Sequence, residues 1–424
     1  MGGRPNPSVV EEKKNFMTGS LERFVVSHPT GNTFVRALLN QLNDQNQLEK
    51  FITTIGAGEG ANPWITSLCK EKRQYAISDK IISRLWMPEV IRLLSKGNQE
   101  KKRKRTDQCY QALDSKVSHE LSNHSSQVLH AYEDCCSDSF ARAKQLGMQC
   151  SYELPIAHWA TVRRLLAEEA ERYPDWEPTL ESTREPEEKL FRKEEELRIA
   201  DRITCPSQFV LDSIPLEIRQ KTPCIISQFG SPSCEPVDLK HPHKNDSLKL
   251  LFVGSMSQRK GLADLFETMK LLKGEPISLS ILGQPSMPVE FYRKQFSKFA
   301  YFPPCSNQKV REIMSTHDAL VLPSIVEGRA LVQQEALACG LPIIVTPNTG
   351  GEDLVEEGKT GHLIPIRSPE KIADAIRAMI ENKNPKEEIR KMCQKKAIQY
   401  TWVNYAQNII NFNLSNHSQR IEIA

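Results

Sequence analysis

A chain of 424 residues, 39% hydrophobic and 26% charged, has an ordinary globular composition and is longer than one compact domain requires, so two domains are expected. Its 56 basic and 53 acidic residues leave a formal charge of +3, which excludes a partner selected by overall charge; any basic function must be local. Eleven cysteines, with no Cys-x-x-Cys spacing and an odd total, fit reduced thiols better than a disulfide framework.

Residues 1–20 read as a polar extension without an apolar stretch long enough for a signal sequence, and Met1-Gly2-Gly3-Arg4-Pro5-Asn6 lacks the Ser or Thr of a myristoylation signal. Nowhere do about 18 apolar residues run together, so a cytoplasmic chain is expected, free or held peripherally at the inner face of the membrane. Residues 23–27 and 51–55 read as strands around a helix at 34–42, a βαβ unit whose first turn holds Gly31. Gly56-Ala57-Gly58-Glu59-Gly60-Ala61 fits a loose dinucleotide pattern, but Asn62-Pro63-Trp64 breaks the helix that pattern needs, and a loop is expected there. Residues 77–94 then set Ile81, Ile82, Leu85, Trp86, Ile91 and Leu94 among Lys80, Arg84 and Arg92, followed by the basic run 101–105. Two readings stand: a core-facing helix followed by a solvated loop, or an amphipathic basic element in peripheral contact with anionic lipid. The run has no interleaved aromatics to stack bases, so no nucleic-acid partner is expected.

Strands at 128–131, 150–154 and 202–205 and a charged helix at 186–200 complete an N-terminal domain spanning 21–235. A Pro-containing, aperiodic linker at 236–247 follows. Residues 248–400 alternate strands (248–254, 277–282, 319–323, 342–346) with helices (262–272, near 309–314, 331–338), which predicts a doubly wound α/β domain. Residues 401–424 are a C-terminal helix and tail. His241-Pro242-His243 has no third ligand nearby and no Asp-x-Asp element ends a strand, so neither a metal nor another cofactor is expected.

The chemistry concentrates after the strand ending at Pro323-Ser324. Glu327 and Glu335 are eight positions apart, which on an ideal helix leaves them roughly 80° apart in azimuth and about 12 Å apart along the axis. That is too far for the paired carboxylates of a glycoside hydrolase but suits the two ends of an extended ligand. A helix N-terminus lies between them, and its open amides and positive dipole end favour a diphosphate. Glu335 would then accept hydrogen bonds from ribose hydroxyls and Glu327 from sugar hydroxyls; the alternative for such a pair is a solvated helix face.

The run Pro323-Ser324-Ile325-Val326-Glu327-Gly328-Arg329-Ala330-Leu331-Val332-Gln333-Gln334-Glu335-Ala336, then Cys339-Gly340-Leu341-Pro342, resembles the Glu-x7-Glu motif of the family-4 retaining glycosyltransferases. Phe252-Val253-Gly254-Ser255-Met256-Ser257-Gln258-Arg259-Lys260-Gly261 is similar to that family's phosphate loop, and the resemblance covers roughly residues 200–412. It implies a GT-B fold, two Rossmann-like domains facing a cleft, with a nucleotide-diphosphate-sugar donor, a saccharide or lipid-linked acceptor and retention at the anomeric carbon. By the same resemblance Lys260, with Arg259, contacts the donor diphosphate, Glu327 the donor sugar and Glu335 the ribose. Gly328, Arg329, Ala330 and Leu331 form the phosphate-binding turn, and Gly31 and His158 face the donor from the N-terminal domain. Relatives often have Gly-Phe-Gly where this chain has Gly328-Arg329-Ala330, and an arginine where it has Ser255. Those departures keep two rivals in view, a degenerate nucleotide-sugar-binding protein and a nucleotide-sugar epimerase of the same architecture.

Overall fold

The computed structural model describes residues 22–95, 99–121, 126–180, 184–233, 247–382 and 384–415. The extension 1–20, the linker 236–247 except its last residue, the histidines at 241 and 243 and the tail beyond residue 415 lie outside the described residues.

The first elements are β1 (Phe24–Ser27), α1 (Thr33–Asp44), β2 (Leu48–Thr53), β3 (Ala57–Glu59), α2 (Pro63–Leu68), β4 (Gln74–Ser78), β5 (Ile82–Arg84), α3 (Trp86–Leu94) and α4 (Gln99–Glu120). Next come β6 (Val128–Tyr132), α5 (Ser137–Gln145), β7 (Gln149–Glu153), α6 (Trp159–Arg172), α7 (Glu187–Ile199), β8 (Arg202–Cys205), α8 (Gln208–Ser213), α9 (Leu216–Arg219) and β9 (Cys224–Ile226). The second half runs β10 (Leu248–Val253), α10 (Leu262–Leu271), β11 (Ile277–Leu282), α11 (Val289–Gln295), β12 (Ala300–Phe302), α12 (Asn307–Ser315), β13 (Ala319–Leu322) and α13 (Leu331–Ala338). It ends with β14 (Ile343–Val345), β15 (Gly361–Leu363), α14 (Pro369–Glu381), α15 (Lys386–Ala397) and α16 (Trp402–Leu414).

Among the described residues two parallel sheets form, in the orders β5-β2-β1-β6-β7-β8-β9 and β12-β11-β10-β13-β14-β15, while β3 and β4 pair apart. Central strands such as β1 and β13 are buried along their whole length, which is why they read as unbroken apolar runs. In each sheet the order reverses beside the first strand, between β1 and β6 and between β10 and β13. At such a switch the loops leaving neighbouring strands diverge and open a crevice at their carboxyl ends.

The two halves are interlocked. Helix α16 returns to the first sheet, where Tyr405, Ile409 and Ile410 are buried with Phe24, Leu38 and Phe51. In the other direction Trp176, just after α6, enters the second core against Phe266, Phe291 and Tyr292.

Three expectations are corrected. Residues 56–61 are not a plain loop: Ala57–Glu59 is a strand, and Pro63 opens α2 with Asn62 accepting from the Trp64 amide at 3.2 Å. Proline is favourable at a first helical position because its missing N–H would be unbonded there anyway. Residues 77–94 are not one helix either; they contain the end of β4, a 3-10 turn (Asp79–Ile81), β5 and only then α3. The basic run 101–105, expected in a solvated loop, lies in the first turns of α4.

Candidate active site

The loop after β10 and the loop after β13 leave their strands on opposite sides of the second sheet's switch point, and the backbone stitches them together. The Ile325 and Val326 amides donate to the Arg259 carbonyl at 2.9 and 3.3 Å, and the Glu327 amide ties the second loop to the Asn348 carbonyl after β14 at 3.1 Å. Gly261 makes the turn into α10 with φ of 73°, and a side chain there would meet the Pro323 carbonyl oxygen at 2.0 Å. Gly254 keeps clear the space that the Lys260 chain crosses, since a Cβ at that position would lie 2.7 Å from Lys260 Cδ.

This packing brings Lys260, Arg259 and Glu327 together. Lys260 Nζ lies 2.5 Å and Arg259 Nη1 2.9 Å from the same Glu327 oxygen. Burial pulls the Lys260 ammonium below the ordinary lysine range, Glu327 opposing the shift and Arg259 adding to it. Burial would raise Glu327, but the two cations prevail and hold its carboxyl below the usual range. Glu335, half-buried on α13, is raised by burial and partly lowered by Arg311 and by Lys72 of the N-terminal half. The amide of Ala330 is used by the Thr349 carbonyl at 3.1 Å, so the open amides of α13 begin at Leu331.

Other expected residues are placed differently. The Arg329 guanidinium is buried and faces away from Glu327, bonded to Asp353 at 2.7 Å and to the Gly350 carbonyl at 3.0 Å over the Tyr400 ring. Gly328 is the contact point between domains: its carbonyl accepts from Ser207 Oγ at 2.6 Å, and an added Cβ would strike the Pro155 carbonyl oxygen at 1.7 Å. Gly31 is pressed against the Lys72 carbonyl in the same way, at 1.7 Å. His158 caps α6 and is buried with Glu194, 3.0 Å from its Nε2; burial lowers its pKa and Glu194 opposes the shift. Its ring is thus occupied by its own domain.

Sequence reading missed the polar bridge beneath the loop. Gln258 Nε2 donates to Glu169 at 2.6 Å and to Asp264 at 2.8 Å, and the Gln258 amide donates to Thr179 Oγ1 at 3.1 Å. Gln258 lay inside the quoted motif, but nothing in the sequence pointed to partners 89 and 79 positions away.

Residues 237–400 match the family model described as glycosyl transferases group 1. The C-terminal half is thus similar to the group 1 glycosyltransferases. Over 168 residues the chain is 27% identical to D-inositol 3-phosphate glycosyltransferase of Paenarthrobacter aurescens, covering 37% of this chain and 41% of that protein. Over 141 residues it is 26% identical to the putative colanic acid biosynthesis glycosyltransferase WcaL of Salmonella typhimurium, covering 30% and 34%. The chain thus spans well under half the length of these curated relatives. Among solved structures it resembles sucrose-phosphate synthase of Thermosynechococcus elongatus, with a TM-score of 0.63, 15% identity and coverage of 92% of this chain and 98% of that one. Anabaena HepE in complex with UDP aligns with a TM-score of 0.60, 14% identity and the same two coverages. These likenesses span both halves and show the GT-B fold.

Proposed function

We propose that this chain transfers a sugar from a nucleotide-diphosphate-sugar donor to an acceptor hydroxyl, with retention at the anomeric carbon. The observation that carries this reading is the Lys260–Glu327–Arg259 cluster at the switch point, beside the open N-terminus of α13. Two cations and a helix end converge where a diphosphate would gather negative charge as it leaves, which is where preorganised groups lower a barrier most. The relative solved with UDP supports the donor class by its fold. In the reaction the bond between the donor's anomeric carbon and the diphosphate oxygen breaks, and a bond from the acceptor oxygen to that carbon forms. The acceptor proton passes to the departing phosphate. Glu327, released by the two cations as they turn to the diphosphate, accepts from the donor sugar's hydroxyls, and Glu335 accepts from the ribose. The acceptor is a saccharide or a lipid-linked sugar, in polysaccharide or glycolipid synthesis, and no metal takes part. The chain acts in the cytoplasm.

Thermal stabilisation by a panel of nucleotide sugars tests the donor. A true donor at about 100 times its dissociation constant should add roughly 2.7 kcal/mol to folding stability. Glu335→Ala should abolish most of that gain. Release of nucleotide diphosphate only when acceptor is present separates a transferase from an epimerase or a silent binder. If donor and free nucleotide diphosphate stabilise Glu335→Ala as much as the parent, the ribose assignment fails.

A further inference from the structure

Helix α3 is inverted relative to an ordinary surface helix. Its acid, Glu89, is 2% exposed and held by Arg73 at 2.9 Å and Arg92 at 2.6 Å, while Met87, Leu93 and Leu94 are 68%, 62% and 75% exposed. None of its apolar residues is buried. Helix α2 has no buried residue either and exposes Trp64 and Leu68. The Trp64 ring stacks on Trp86 with centroids 6.5 Å apart, so the two helices present one continuous apolar face. A monomeric soluble surface rarely leaves such a face uncovered without a use.

Charge says what covers it. Helix α4 packs along α3 and opens with the basic run, of which Lys101, Lys102, Lys104 and Arg105 are exposed. Lys70 and Lys80, on the segments next to α2 and α3, are exposed too. An apolar face rimmed by cations, with its own carboxylate withdrawn and neutralised by two arginines, matches an anionic bilayer: hydrocarbon beneath and negative headgroups around it. A second copy docked face to face would bring the two basic runs together, which like charges oppose.

The fold sets this face beside the cleft. Helix α3 leaves the carboxyl end of β5, at the edge of the first sheet that faces the cleft, and α2 follows β3, which the chain enters from the carboxyl end of β2. Between α2 and β4, Lys72 comes close enough to act on Glu335 of the other domain. We infer that α2 and α3 form a bilayer-docking face whose exposed tryptophan and leucines enter an anionic membrane surface while the start of α4 contacts its headgroups. Docked in this way, the rim of the cleft lies at the level where a lipid-linked acceptor would present its sugar. That last consequence rests on the transferase reading; the docking face does not.

Full-length protein is sedimented with mixed phosphatidylcholine–phosphatidylglycerol vesicles and with pure phosphatidylcholine vesicles at low salt, where the attraction is least screened. The parent should partition to the mixed vesicles with a blue shift in tryptophan fluorescence. Leu93→Asp/Leu94→Asp should bind about tenfold more weakly or worse, given the apolar area each leucine would bury. Lys102→Glu/Lys104→Glu should lose the preference for anionic lipid, and Trp64→Phe should reduce the blue shift. Absence of binding to the anionic vesicles, or equal binding by the double aspartate variant, overturns the inference. So does a solution dimer that the aspartates dissociate, which would make the face an interface between copies. Nucleotide-diphosphate stabilisation is measured on the same variants; if it persists while vesicle binding fails in the parent, the docking face falls and the transferase reading stands.

Discussion

Glu327 brings two cations, Lys260 and Arg259, onto one of its carboxylate oxygens. It holds Lys260 and Arg259 at 2.5 and 2.9 Å on the same oxygen, so on the proposed reading a donor diphosphate must draw both cations away from it. Lys260→Ala should lower turnover at saturating donor by about 100-fold or more, the scale of removing one preorganised charge-stabilising group. Near-normal turnover would remove Lys260 from the leaving-group site. A second residue-scale prediction concerns Glu196, whose carboxylate accepts from the Cys136 amide at 2.9 Å and from the Asp134 amide at 2.7 Å, yet is pushed up to about 8 by burial. Its folded pKa lies above its unfolded value, so between about pH 4.5 and 8 the native state holds a proton that the unfolded chain has lost. Its contribution is full below the unfolded pKa and fades as pH rises through 8, with a slope of at most about 1.4 kcal/mol per pH unit. Denaturant titrations across that range should show Glu196→Gln flattening the decline; parallel curves would refute the assignment. The pairing of Lys260 with Glu327 was legible because both stand in short motifs at strand ends, where topology alone joins them. Arg329 and His158 were not, because their partners, Asp353 and Glu194, lie 24 and 36 positions away and nothing local marks the pairing.

At the scale of elements, legibility followed local pattern. Strands β8 and β11 and helix α13 coincide with the ranges expected: β11 alternates Ile, Leu and Ile with serines that are less buried, and α13 lies between the apolar runs of β13 and β14, which bound it. Residues 77–94 misled because β5 is three residues long, too short to show alternation, and the apolar residues of α3 face outward where a core-facing stripe was assumed. The closing helix α16 is bound by chemistry that periodicity does not reveal. Its Tyr405 hydroxyl donates to the buried Glu153, whose other oxygen lies 3.1 Å from His130 Nε2. Tyr405→Phe leaves that carboxylate oxygen without a donor and should cost about 1–3 kcal/mol. Chemical denaturation would measure the loss, with the slope unchanged if the fold stays whole. A change below about 0.5 kcal/mol would mean that the aromatic packing of α16 suffices and the hydroxyl is incidental.

At the scale of the molecule, the two halves are clamped together along α6. Ile325 and Val326 of the C-terminal domain are fully buried against Val162, Leu165 and Leu166 of α6. Next to them Glu169 and Asp264, one from each half, are buried within reach of a single amide, that of Gln258. Arg172 pairs with Asp264 at 2.7 Å, and Arg367 pairs with Glu168 at 2.7 Å and with Glu169. Any opening of the domains must pivot about this clamp, because parting it would strand buried carboxylates without donors. Gln258→Ala tests that directly: it removes the shared donor between two carboxylates and leaves the arginines to neutralise them from one side. The variant should lose about 2–4 kcal/mol, and the loss should fall on the coupling between domains more than on either core. Calorimetry of the parent should then give one cooperative transition and Gln258→Ala two, the first at lower temperature. One transition at an unchanged midpoint would show that α6 is held to the C-terminal domain by apolar packing alone.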